Sequence, residues 1–238
     1  MNKDEKIDVL YVLHNRVHLG NLDHLRFSLR SIDKNLYNIG NVYVVGNDIS
    51  SKFNSSLINI VNESMAMRRT TNEFKYIHTF ANLDSVSNNF LLFDEKNFLC
   101  AGYNAHSMPF CSHTKVLKEE ETDYMDNTYK FLRKNRLTLS NFHNHAPMIF
   151  NKKRIKEMFA ELEFPTNNIC IKTIYANFFK KKFDFFVPLV FDNNNTDKEI
   201  ATALINKRKM FSVDGDILRV NMNHILYLMY PNKSKWEL

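Results

Sequence analysis

No stretch of this sequence is rich in proline and glycine, none is of low complexity, and no period recurs, so nothing marks a linker or a repeat array. A single domain over residues 1–238 is the organisation to expect. Cysteine is scarce too: Cys100, Cys111 and Cys170 are odd in number and lack CxxC spacing, which argues against a disulfide framework and against a zinc site. A long apolar run is also missing. The N-terminal MNKDEKIDVLYVL places acids and lysines ahead of seven largely apolar residues, too short and too charged in front for a signal peptide or a membrane span. A cytoplasmic location is the corresponding expectation.

What the chain does have is core-forming material: 44% of its 238 residues are hydrophobic and 13% aromatic, enough to bury a substantial interior. Its formal net charge is +6, and the cations are grouped at Arg68-Arg69, Arg133 to Arg136, Lys152 to Arg154, Lys180 to Lys182 and Lys207 to Lys209. Each group by itself is an ordinary solvated helix face or end. Five together favour a polyanionic partner or a phosphorylated substrate.

The segment around which the chain is organised is Phe90 to Leu99, FLLFDEKNFL. Four apolar residues running into Asp94-Glu95-Lys96 read as a buried strand with carboxylates at its C-terminal edge, where open α/β sheets bind ligands. Two adjacent acids there offer oxygen ligands to a divalent cation, which would neutralise a diphosphate leaving group. The alternative is a tight turn of solvated charges between two strands.

Around this segment the pattern alternates between strands and helices. Ile7 to Leu13 reads as a buried first strand, followed by a polar loop with Asn15 and Arg16. Leu22 to Leu36 has a helical period that sets Arg26 and Arg30 one turn apart, and Val42 to Val45 is the next strand, parallel to the first. Ser55 to Val61 is a weaker strand. Thr70 or Thr71 caps a helix carrying Phe74 and Ile77, and the adjacent arginines make its start either an anion site or a plain capped end. Cys100 to Ser112 reads as irregular, with Tyr103, His106 and His113 near an acceptor pocket. Further helices are expected at 124–135, from 151 or 152 to 162, at 169–179, 198–207 and 221–230, with a loop at 141–147 and strands at 182–191 and 211–214. The fold class is therefore α/β, three-layer, with a mostly parallel sheet.

Taken in order, IDVLYVL, LRFSLRSIDKNL with NVYVVGN, RRTTNEF, FLLFDEKNFL, HAPMIFNKKRI, TIYANFF, FSVDGDIL and YPNKSKWE resemble the small GT-A-like glycosyltransferases of bacteriophages and bacteria related to the Stealth capsule sugar-phosphate transferases. The resemblance runs from about residue 7 to 237. It implies a GT-A-like fold and transfer of a hexosyl group from a UDP-sugar, UDP-glucose for instance, to a hydroxyl acceptor. It places Asn15, Arg16, Arg26 and Arg30 near the nucleotide and Arg69 and Asn72 at the donor phosphates. Asp94, Glu95 and Lys96 then fall at the acidic triplet, with Asp94 and Glu95 as ligands of Mn2+ or Mg2+. Asp214, His145 and Glu95 are the implied catalytic groups. Lys96 departs from the family pattern, since it stands where a third acid is usual and sets a cation among the expected metal ligands. The implied acceptor is a hydroxymethylated or already glucosylated pyrimidine in phage DNA, with a surface-polysaccharide glycosyl- or hexose-1-phosphate transferase as the alternative. A non-catalytic nucleic-acid-binding protein on the same fold is the reading from a different class.

Overall fold

The strand that everything else flanks is β1 (Ile7–Val12), buried along its whole length, as a strand covered on both faces must be. The computed structural model describes residues 5–13, 21–45, 52–61, 73–107, 119–137, 147–165, 169–179, 189–191, 197–205, 210–213 and 220–238. After β1 come α1 (Asn21–Asn35), the two-residue β2 (Leu36–Tyr37), β3 (Ile39–Val45) and β4 (Ile58–Val61). Next are α2 (Glu73–Asn82), β5 (Asn89–Phe93), β6 (Asn97–Leu99) and the short β7 (Tyr103–Asn104). The second half contributes α3 (Glu119–Lys134), β8 (Met148–Asn151), α4 (Lys152–Glu161) and α5 (Ile171–Phe178). The last elements are β9 (Leu189–Phe191), α6 (Asp197–Ile205), β10 (Met210–Val213) and α7 (Val220–Met229).

The central sheet has the order β4-β3-β1-β5-β8. Its first four strands are parallel, the expected β1 and β3 pair included, and only β8 runs antiparallel, against β5. Register pairs Val12 with Val45 and Tyr11 with Phe93, so the C-terminal ends of three strands finish along one edge. A second sheet, β6-β10-β9, is antiparallel between β6 and β10 and parallel between β10 and β9. This is the mixed α/β architecture with a mostly parallel sheet that the alternating pattern predicts.

Strand alternation divides the core in two. Leu10, Val12, Phe90 and Leu92 face the layer of α2, α4 and α5, while Val9, Tyr11, Leu91 and Phe93 face α1 and the second sheet. Each large apolar side chain buried this way contributes roughly 1.5–3 kcal/mol. At the opposite edge the buried Asp8 accepts the backbone N–H of Asn41 at 2.7 Å and of Ser87 at 2.8 Å. A Cβ on Gly40 would overlap the Asp8 carboxylate, so that close approach needs glycine.

Several boundaries differ from the sequence pattern. β8 falls in a stretch that the pattern leaves between a loop and a helix, because three apolar residues carry no period; pairing with β5 makes them a strand. α3 begins at Glu119 rather than Tyr124. Within Cys100 to Ser112, β7 pairs with β2, and a 3-10 turn spans Ala105–Ser107. Of the strand expected at 182–191, Leu189–Phe191 is observed and the rest lies outside the described residues. α7 stops just before Pro231, whose ring disfavours helical backbone in the residue ahead of it. Among the described residues, no helix is long and apolar enough to cross a membrane. Neither Cys100 nor Cys170 forms a disulfide among the described residues.

Candidate functional site

β5 delivers Asp94 to the C-terminal edge of the sheet, and the next three residues close a tight turn. The Asn97 N–H donates to the Asp94 carbonyl at 3.0 Å, and the Lys96 N–H donates to Asp94 Oδ1 at 2.8 Å. The Lys96 carbonyl in turn accepts from the Val213 N–H at 3.0 Å, tying the end of β10 to the turn. Both local readings of FLLFDEKNFL therefore meet in one place: the acids do form a tight turn, but one half buried rather than solvated.

That burial sets the electrostatics. Desolvation first, and the neighbouring Asp94 carboxylate second, push the Glu95 carboxyl up to about 8, against the opposing pull of Lys96. The two carboxyls are hydrogen-bonded to each other, so the pair keeps one proton where two free acids would keep none. Among the described residues, no group of three or more His, Cys, Asp or Glu side chains is placed to hold a metal. Asp94 and Glu95 still fit a divalent ion as a two-carboxylate site, because a cation satisfies the same pair in place of the proton, with water and phosphate oxygens as remaining ligands.

The turn is held from behind by a chain of hydroxyls. Ser28 Oγ donates to the Asn97 carbonyl at 2.8 Å, which uses its only hydrogen; the buried Tyr11 hydroxyl, 3.0 Å away, is therefore the donor to Ser28. Burial and, to a lesser degree, the charges of Asp94 and Glu95 raise the Tyr11 phenol far above its ordinary value, keeping it a neutral donor. β1, α1 and the acid turn are thus coupled through three residues. Beside them, the Asn97 carboxamide and the Ser212 hydroxyl oppose each other across β6 and β10, fully buried and without a hydrogen bond among the described residues.

Arg26 and Arg30 do sit one turn apart on α1, but they have a partner inside the chain. Arg30 Nε and Nη2 each lie 2.8 Å from the Glu237 carboxylate, Arg26 Nε lies 3.0 Å from it, and Arg30 Nη1 donates to the Tyr230 carbonyl at 3.1 Å. Arg30 is buried. Their role here is to anchor the C-terminal segment, and the nucleotide placement implied for them does not follow from this geometry. Of the other implied site residues, Asn15, Arg16, Arg69, Asn72, His145 and Asp214 lie outside the described residues. The structure brings Asp94, Glu95 and Lys96 together with Tyr11, Ser28, Asn97 and Ser212, four groups that sequence reasoning did not single out. The signals were thin: a tyrosine on an apolar strand and a serine on an apolar helix face both read as core.

No family model matches the chain, and no curated protein matches it. Among solved structures, two crystal structures of the glycosyltransferase GlyE from Streptococcus pneumoniae TIGR4, one of them the apo form, share its general shape. Identity is 7% in each, the TM-scores are 0.47 and 0.48, and the match covers 96% of this chain and 61% of those. At that level neither comparison bears on activity.

Proposed function

We propose that this chain is a glycosyltransferase moving a hexosyl group from a UDP-sugar to a hydroxyl acceptor. The observation that carries the reading is the desolvated Asp94–Glu95 pair beside Lys96, set on the C-terminal edge of two adjacent parallel strands. A carboxyl pair that retains a proton accepts a divalent cation in exchange for it. Bound there by Asp94 and Glu95, Mn2+ or Mg2+ would supply positive charge against the departing diphosphate. Lys96 adds charge of the same sign, so the diphosphate is stabilised from the protein side as well. Asp214 and His145 are proposed to orient or deprotonate the attacking hydroxyl, and Asn15, Arg16, Arg69 and Asn72 to bind the nucleotide and its phosphates. For the acceptor we propose hydroxymethylated or glucosylated pyrimidines in DNA, the +6 charge supporting a polyanion and the resemblance supporting the modified base.

Calorimetry with UDP and UDP-glucose, with and without Mn2+, tests the donor site. Wild-type protein is expected to give heat with both, and Asp94→Asn to lose at least about tenfold in affinity for the metal-dependent component. Absence of heat with either nucleotide sinks the reading. Full UDP release in EDTA would remove the metal and leave the charge on Lys96. Transfer to a saccharide with none to hydroxymethylated DNA would keep the transferase and replace the acceptor.

A further inference from the structure

On the other face of the sheet from the acid turn, a cavity of about 350 Å³ opens between the C-terminal half of α3 and the segment after α4. Its floor is Phe131 and Phe164, whose ring centroids are 5.3 Å apart, and its rim carries Lys130, Lys134, Asn127 and Glu163. Lys130 and Lys134 are one helical turn apart on one face of α3. Beyond the rim the charge continues with the exposed Arg133 and Arg136, four cations within seven residues. None of the four forms an ion pair among the described residues; Glu163 and Asp126, the acids nearby, leave them unneutralised. Arg136 is held at φ 54, the left-handed position at the end of a helix that glycine ordinarily takes.

We propose that this groove binds single-stranded nucleic acid. The unpaired cations select an anion, and their continuation past the cavity selects a chain of anions over a lone phosphate. The phenylalanine floor selects a chain that also carries flat apolar rings, and a single strand presents both along its length. The cavity holds one base, with phosphates along Lys130, Lys134 and Arg133. This surface deepens the acceptor reading above by naming where the polymer is held, and it is separable from the donor site because the two lie on opposite faces of the sheet.

The test is fluorescence anisotropy with a labelled oligothymidylate over a salt series, on wild type, on Lys130→Glu/Lys134→Glu, and on Lys52→Glu/Lys198→Glu. The last pair reverses the same amount of charge at exposed sites elsewhere. Wild type is expected to bind with affinity that falls with salt, the groove variant to lose at least about tenfold and show a shallower salt slope, and the control to lose less than about twofold. Unmeasurable binding overturns the proposal. Equal loss in both variants, or displacement of the oligonucleotide by glucose 1-phosphate at similar affinity, overturns it as well. Calorimetry with UDP on the wild type separates the two readings: heat with UDP and no oligonucleotide binding removes the groove alone, while oligonucleotide binding without UDP heat removes the transferase and keeps the groove.

Discussion

Glu95 is the residue whose environment reaches furthest into behaviour. Its carboxyl is held up to about 8 in the folded chain against an ordinary 4.5, chiefly by burial, so between those values the native state binds the extra proton. Stability from this group is therefore fully present below about pH 4.5 and is lost as pH rises towards 8. Replacing it with a neutral isostere removes the titration: Glu95→Gln is expected to be more stable than wild type above pH 8 by on the order of a few kcal/mol, and nearly equal at pH 4. Urea unfolding midpoints of both proteins at acid and alkaline pH check this; parallel midpoints across the range would show that the carboxyl is not desolvated. The acid pair was legible because it directly follows an apolar run, but Tyr11 and Ser28 were not. Their contact joins residues 17 apart in sequence, and each obeys its own element's apolar pattern.

Among the elements, the C-terminal segment shows best how distant residues cooperate. Glu237 lies against α1 with its carboxylate almost wholly buried, the buried Trp236 beside it, and the chain end bonded to Lys52. Burial alone would raise its pKa; hydrogen bonds from Arg30, the Ser234 backbone and Arg26 outweigh that and hold it down to about 2. Its stabilisation is present above the ordinary 4.5 and drains away as pH falls towards 2. Glu237→Gln leaves Arg30 buried without a counter-charge and is expected to cost roughly 3–5 kcal/mol, visible in thermal unfolding at neutral pH. The gap between variant and wild type should narrow in acid. At the end of α3, the Arg136 N–H donates to the Arg133 carbonyl at 3.0 Å and the Leu137 N–H to Leu132 at 2.9 Å, the Schellman pattern with arginine at its left-handed position. Arg136→Gly relieves that conformation and is expected to stabilise by about 0.5–1 kcal/mol. The same substitution should weaken oligonucleotide binding, a trade that denaturation and anisotropy together reveal.

For the whole molecule, a ligand that binds only the folded state raises its stability by mass action. UDP with Mn2+ at about a hundredfold over Kd contributes about 2.7 kcal/mol, a rise of several degrees in Tm that Asp94→Asn should largely lose. The sequence by itself determined the α/β alternation, the buried central strand, the parallel pairing of the first two long strands and the acid turn, because each is written in local periodicity and in charges placed at the ends of apolar runs. It determined the surplus of positive charge too, though not where that surplus gathers. Only the tertiary structure decided that Met148–Asn151 closes the sheet as an antiparallel strand, that Arg26 and Arg30 belong to Glu237, and that α3 and the segment after α4 enclose a basic cavity. Those outcomes depend on pairings between residues tens to hundreds of positions apart. A local pattern shows what a side chain needs, burial or a counter-charge, and the fold alone brings the group that meets the need.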